Sequence, residues 1–502
     1  MTKRLAQLAK TTTAPYIAVH ETHTGVVVLV GDRAFKAKKP VLTDFLDFRT
    51  PEQRERACLR EVELNGRLSP ESYLGVAHLT DPSGGPAEPI VVMRRYRDDD
   101  RLASIVTGDR PEQSVLGVLD RIAGVLARFH ENAKRSWVIS AQGEVGAIDE
   151  RWRENLSELK RYAATAGSGL SGRPLSRIQH LVAEFTAGRR ILFASRVDER
   201  CIVDGHADLL ADDIFCVDGG PALLDCLEFD DELRYVDRID DAAFLAMDLE
   251  FLGRRDLADY FLERYVAYSA DTAPPSLRDF YIAYRAVVRA KVDCVRWSQG
   301  KSEAKADAAT HLSIALEHLK NGAVRLALIG GNPGTGKSTL AHALAKKVGA
   351  QVISTDDVRR ELRESGAITG SPGVLHAGLY NPDNAASVYE EVLRRARVPL
   401  GRGESVILDG TWRDPEIRAR ANHLAMETHS AIVELLCTAT TEMVADRIQT
   451  RQPGNSEVTP EIAAALAAQE NPWDTASRVD TLQGLEHSLL RAQHVWRRAT
   501  RC

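Results

Sequence analysis

The sequence predicts two domains of different class: an N-terminal α+β domain over residues 1–320 and a C-terminal α/β domain with a parallel sheet over residues 322–502. Three observations carry this. At 502 residues the chain is too long for a single hydrophobic core. Its early part passes from short β-like runs to long helical periodicity, whereas the part after residue 322 alternates apolar strands with helical stretches, as a parallel sheet covered by helices requires. Between them Gln299–Lys305 is polar, and Asn321-Gly322 closes a helical stretch with a residue that suits a helix C-terminus.

In the first domain, Thr24–Val30 and Arg33–Lys38 read as strands of a hairpin turning at Gly31-Asp32. Pro51–Leu68 is charged but spaces Ala57, Val62 and Leu64 as a helix does, and Ile90–Tyr96 is a further strand. From Glu112 to about Glu199 the periodicity is helical, with Leu116, Leu119, Ile122, Ala123, Leu126 and Phe129 on one apolar face. Cys201–Asp230 is an acid-rich stretch of short β-like pieces, and helix resumes from Asp240 to about Leu319. In the second domain the strand candidates are Leu326–Ile329, Gln351–Ser354, Ser405–Leu408 and Ala431–Cys437.

Composition excludes several functions. Apolar content of 44% and charged content of 27% are those of an ordinary globular chain, and a net charge of −6 offers no surface for coating nucleic acid. Seven scattered cysteines with no C-x-x-C pair fit a reducing compartment better than a disulfide framework or zinc site. The basic stretch Met1–Lys10 is not followed by the apolar region of a signal peptide, and no run approaches the roughly 20 apolar residues that span a bilayer. The expectation is a cytoplasmic protein without a membrane partner.

The chemistry is clearest after residue 324. An apolar run leads into Gly331-Asn332-Pro333-Gly334-Thr335-Gly336-Lys337-Ser338-Thr339, which satisfies the G-x-x-x-x-G-K-[ST] phosphate loop in full. Glycines let several backbone N–H groups converge on a triphosphate, Lys337 adds a full positive charge, and the Ser338 hydroxyl suits Mg²⁺. Ser354-Thr355-Asp356-Asp357 follows the next strand, where the substrate crevice of an open α/β sheet lies. A carboxylate there can take a hydroxyl proton, or merely cap the following helix. Arg359 can hold a phosphate or carboxylate of the substrate. Val406–Leu408 ends in Asp409, the arrangement that places Mg²⁺. Arg447 and Arg451 share a helix face and either close over the triphosphate or form a solvated face. In the first domain, His206-Ala207-Asp208 and the apolar Ala222–Leu224 ending in Asp225 put two carboxylates at neighbouring strand ends, one to take a proton and one to hold metal.

The segments Gly331–Leu340, Ser354–Arg359 and Val406–Thr411 together resemble P-loop kinases of the polynucleotide-kinase/zeta-toxin/small-molecule-kinase group, and the likeness spans residues 322–502. It implies a general base at Asp356 and leaves the acceptor open. Trp412 and Trp473 are present, but no basic stripe accompanies them, which favours a small hydroxylated metabolite such as a sugar over a polynucleotide. Residues 15–320 resemble the aminoglycoside-phosphotransferase, protein-kinase-like family, with its bilobal fold and H-G-D-x-x-x-x-N catalytic loop. The resemblance puts the family's catalytic Asp, the base, at Asp208 and its metal-binding Asp at Asp225. Ala207 replaces the family's glycine, and Asp213 stands where the second metal-ligand Asn belongs. The phosphate-gripping lysine falls on Lys36, with Lys38 on the same strand face as the alternative, and its partner is Glu61. No glycine-rich loop precedes that lysine. Arg285 and Arg289 either face this site or serve structural pairs. The tandem is similar to bacterial bifunctional phosphotransferase/ATP-binding proteins.

The resulting expectation is ATP- and Mg²⁺-dependent phosphoryl transfer to a hydroxyl at two sites. The alternatives are a first domain that only binds nucleotide as a regulatory module, and a second that is an NTPase switch or a polynucleotide 5′-kinase.

Overall fold

The computed structural model describes residues 16–21, 25–42, 47–80, 82–165, 167, 171–370, 378–450, 466 and 472–500. The described chain packs as two compact units, each drawn from separated segments. The first takes Met1–Ile148, Arg196–Thr272 and Tyr284–Ile314; the second takes Asp149–Ser195, Ala273–Ala283 and Ala315–Cys502.

The first unit is α+β. Strands β1 (Ile17–Glu21), β2 (Gly25–Val30), β3 (Arg33–Lys38), β4 (Tyr73–Leu79) and β5 (Glu88–Arg94) form an antiparallel sheet in the order β1-β2-β3-β5-β4. Helix Pro51–Gly66 covers it. Thr50 and Gln53 cap each other's backbone in a capping box, and Pro51 opens the first turn. Its inward positions, Arg54, Cys58, Glu61 and Asn65, recur at three or four residues. Two of them are charged, and each has a partner: Arg54 forks onto Glu88 at 2.5 Å, and Glu61 meets the lysines of β3. Ala34, Cys58, Tyr73, Val91 and Met93 form the small core between sheet and helix.

Two short antiparallel pairs follow, β6 (Ile202–Asp204) with β9 (Tyr235–Asp237), and β7 (Ile214–Val217) with β8 (Gly220–Leu223). They hold the loop His206–Asp213 and the residue Asp225 that leaves β8. The helical stretches expected as continuous are interrupted: Glu112–Asn132, Trp137–Ala141, Val145–Ala163, Gly172–Gly188 and Arg190–Asp198 replace the first, and four helices between Arg238 and Asn321 replace the second. On Glu112–Asn132 the residues Leu119, Ile122, Ala123 and Leu126 are buried as expected, and Leu116 and Phe129 are half-buried.

The second unit is α/β. Strands β10 (Arg325–Gly330), β11 (Gln351–Ser354), β12 (Val406–Asp409), β13 (Ala431–Thr438) and β14 (Ser477–Asp480) form a wholly parallel sheet in the order β11-β12-β10-β13-β14. Every residue of the central β10 is buried, as expected of a parallel strand covered on both faces. Alternate residues serve opposite cores. Leu326, Leu328, Val406 and Leu408 pack with Val388, Val392 and Trp412, while Ala327, Ile329 and Ile407 pack with Leu340, Leu344 and Trp496. Strand β14 escapes sequence reading because Ser-Arg-Val-Asp is polar and buries only Val479.

Candidate active sites

In the first unit, β3 presents Lys36 and Lys38 on one face, and Glu61 forms an ion pair with each. Lys36 Nζ lies 2.8 Å from Glu61 Oε1, and Lys38 Nζ lies 2.7 Å from Glu61 Oε2. Their second contacts separate the two lysines. Lys36 reaches Asp225 Oδ1 at 2.6 Å, whereas Lys38 turns to Glu228 Oε1 at 2.8 Å. Burial works against the charge of Lys36, but Asp225 and Glu61 outweigh it and raise its pKa well above the usual value. The same contact acts on Asp225: burial pushes its carboxyl up, and Lys36 more than compensates, holding it below the ordinary range.

The loop that carries Asp208 is held from beneath. Buried Asp241 accepts the backbone N–H groups of His206 at 2.7 Å and Ala207 at 2.8 Å, and His130 Nε2 lies 3.0 Å from the same carboxylate. Burial lowers the His206 pKa to about 4, so its ring is neutral near pH 7. Nε2 then donates to the Leu224 carbonyl at 3.1 Å, which leaves Nδ1 to accept the Asp208 N–H at 3.3 Å. Ala207 has φ 67°, the left-handed conformation that a glycine adopts without cost, so the loop keeps that backbone shape despite the substitution. Burial pushes the Asp208 carboxyl up to about 6, while Arg289 pulls it down. Asp213 is driven well above the ordinary carboxylate value by burial, then by Asp225 and Asp208. Carboxylates that repel one another in this way suit a divalent cation. Of the two late-helix arginines, Arg285 is a structural residue. It is buried, forks onto Asp240 at 2.7 and 2.8 Å, and donates to the Ala207 carbonyl at 3.2 Å.

In the second unit the phosphate loop leaves the C-terminal end of central β10, and helix Lys337–Val348 begins at its last glycine. Gly331 has φ 143°, and a Cβ there would stand 2.6 Å from Thr335 Oγ1 and 2.7 Å from the Cys437 carbonyl, so a larger residue cannot make this turn. Gly336, with φ 82°, occupies the N-cap. One cavity of about 450 Å³ is lined by Gly334, Gly336, Lys337, Ser338, Asp356 and Arg447, among others. Asp409 is buried at the end of β12. Burial raises its pKa, Lys337 and Ser338 lower it, and its Oδ1 has no hydrogen-bond partner in the structure. An orphaned buried carboxylate oxygen beside a serine hydroxyl and the phosphate loop fits a Mg²⁺ site. Among the described residues no three His, Cys, Asp or Glu side chains form a self-contained metal cluster.

Ser354, not Asp356 or Asp357, caps the helix Thr355–Glu364, accepting from the Asp356 N–H at 3.2 Å. Asp356 thus keeps its side chain for the cavity, where Arg359 holds it at 2.7 Å. Arg447 does not lie on a solvated face: it donates to the Thr481 hydroxyl at 3.0 Å, the Thr481 carbonyl at 2.9 Å and the Gly334 carbonyl at 3.4 Å. Arg451 lies outside the described residues. Sequence reasoning missed Thr481, Leu485 and Ser488, which line the same cavity from the segment after β14. They belong to no motif, and the short polar strand before them gave no marker. Arg413 was also missed; it donates to the phosphate-loop Asn332 Oδ1 at 2.8 Å.

The AAA domain family model matches residues 326–472. Among solved structures, the chain is similar to a choline/ethanolamine kinase family protein from Mesorhizobium loti (14% identity, 64% of this chain, 99% of that chain, TM-score 0.36) and to wild-type aminoglycoside 2′-phosphotransferase-IIIa (15%, 64%, 97%, 0.37). It is also similar to a gluconokinase from Sinorhizobium meliloti 1021 (17%, 36%, 94%, 0.28). Uncharacterized proteins of Mycobacterium tuberculosis (strain ATCC 25618 / H37Rv) and Mycobacterium bovis (strain ATCC BAA-935 / AF2122/97) are each 67% identical over 488 residues, 97% of this chain and 97% of theirs. The chain belongs to the family of these mycobacterial proteins.

Proposed function

We propose that the protein is an ATP-dependent kinase with two sites, each transferring a phosphoryl group to a hydroxyl of a small acceptor such as a sugar or related metabolite. The observation that carries this reading is the single cavity that gathers Lys337, Ser338, Arg447 and the carboxylate of Asp356. In the second unit the loop amides and Lys337 hold the β- and γ-phosphates, and Asp356 takes the proton of the attacking hydroxyl. Arg359 holds Asp356 in place and stands ready for an anionic group of the acceptor. Arg447, anchored by Thr481, adds positive charge where it develops during transfer. In the first unit Glu61 orients Lys36 toward the phosphates, and Asp208 is the base. Mg²⁺, when bound by Ser338 with Asp409 or by Asp213 with Asp225, neutralises charge on the transferring group.

The test uses the full chain, wild type and with Lys337→Ala or Asp208→Asn, and follows ATP consumption over a panel of hydroxylated metabolites, sugars and a 5′-hydroxyl oligonucleotide. Acceptor-stimulated consumption abolished by Lys337→Ala identifies the second site as a kinase, and a separate activity abolished by Asp208→Asn does so for the first. Slow hydrolysis indifferent to every acceptor would favour the NTPase switch. A binding-only first unit is the second reading, and one contact favours it: Lys36 is tied to the metal-ligand candidate Asp225 at 2.6 Å, an arrangement that phosphates must open before transfer.

A further inference from the structure

The first unit has a cavity that none of the residues assigned to phosphoryl transfer lines. It measures about 470 Å³, within the range of small-molecule sites, and is bordered by Arg60, Glu63, Arg67, Arg128, Lys134 and Asp204, with Phe129 as an apolar wall. Four cations face two carboxylates, and both carboxylates are engaged. Glu63 takes Arg60 at 2.7 Å, Asp231 outside the lining takes the same arginine at 3.0 Å, and Asp204 takes Arg67 at 3.1 Å and Arg234 at 2.9 Å. Arg128 and Lys134 are exposed at the rim, and among the described residues their side chains have no hydrogen bond or ion pair. The cavity therefore carries uncompensated positive charge beside an aromatic surface. We propose that it is a regulatory binding site for a small molecule bearing a phosphate or diphosphate group.

Its position supplies the coupling. Arg60, Glu63 and Leu64 belong to the helix that carries Glu61, so a ligand held here restrains the element that orients Lys36. Arg67, at the C-cap of that helix, donates to the Asp204 carbonyl at 3.1 Å and the Gly205 carbonyl at 2.8 Å, the two groups directly before His206-Ala207-Asp208. Its guanidinium lies 5.2 Å from the centre of the Phe129 ring. Arg67 is thus a positioning residue between cavity and catalytic loop. An incoming anion competes with Glu63 and Asp231 for Arg60 and is met by Arg128 and Lys134, whose charge is free among the described residues.

The experiment titrates inorganic pyrophosphate calorimetrically into the full chain after saturation with a non-hydrolysable ATP analogue and Mg²⁺, so that phosphate sites used by nucleotide are filled. Wild-type protein should bind it, and Arg128→Glu with Lys134→Glu should weaken binding at least tenfold without shifting the melting temperature. Arg128→Gln with Lys134→Gln should weaken binding less, and keeps the test open if charge reversal disturbs folding. Pyrophosphate should also slow hydrogen exchange over residues 51–67 and 202–208 in the wild type only. Absence of binding, or binding that neither double variant alters, overturns the site; binding without the exchange effect overturns its regulatory role.

Discussion

Two residues of the first site trade stability for position. Ala207 holds a left-handed backbone, φ 67°, that costs a non-glycine residue roughly 1–2 kcal/mol, partly offset by the greater freedom a glycine loses on folding. Ala207→Gly should therefore stabilise the protein by roughly 0.5–1 kcal/mol in urea unfolding; an unchanged midpoint would show that the loop relaxes around the alanine. Asp208 has a folded pKa of about 6 against an ordinary 3.8, raised by burial. A raised pKa means that the native state holds the proton more tightly, so this stabilisation is complete below pH 4 and disappears as pH rises through about 6. Asp208→Asn should thus gain on the order of 2 kcal/mol above pH 6 and nothing near pH 4 in nucleotide-free unfolding. On the proposed role, kcat/KM of the first site should fall as pH drops through about 6, because the base becomes protonated. A profile flat between pH 5 and 8 would remove Asp208 from that role.

Elements are joined by buried arginines that use carbonyls instead of carboxylates. Arg189, at the end of helix Gly172–Gly188, donates to the Leu400 carbonyl at 2.7 Å and the Thr428 carbonyl at 2.9 Å, which end the helices Pro382–Gly401 and Pro415–Glu427. Burial lowers its pKa to about 9. The negative ends of two helix dipoles provide the environment that a carboxylate usually would. Arg325 repeats the device with the carbonyls of Lys320, Ala323 and Trp496. Arg189→Leu removes these donors while leaving the acceptors buried, and should cost about 3 kcal/mol or more in chemical denaturation. A loss below about 1 kcal/mol would mean that water replaces the guanidinium. Neither arginine stands out in the sequence, because a basic residue at a helix end is ordinarily exposed.

For the whole molecule, chain order and packing divide the protein differently. The sequence suggests a cut at 320–322, whereas the compact unit around the parallel sheet includes Asp149–Ser195 and Ala273–Ala283. Ser276 donates to the Gly403 carbonyl at 2.6 Å, and Asp279 lies 2.6 Å from His318, so the inserted segments are bonded within that unit. A fragment starting at residue 322 should consequently unfold at lower urea than the same residues in the intact chain. Equal midpoints would show that the inserted segments contribute no stability to the sheet. Enzymatic tests therefore belong on the full chain.

The sequence by itself determined what depends on local chemistry. The phosphate loop declares itself because glycine spacing, lysine and serine must be contiguous to surround a phosphate, and β10 because a fully covered parallel strand must be apolar throughout. The buried face of Glu112–Asn132 was legible for the same reason: periodicity is local. Tertiary structure alone decided what depends on distant partners. It placed Lys36 on Asp225, 189 residues away, and Lys38 on Glu228, although both lysines share a strand face and one glutamate. It turned Arg285 toward Asp240 and brought Thr481 against the phosphate loop. Ion pairs and carbonyl caps form between residues that no spacing rule relates, so their partners emerge only once the chain has packed.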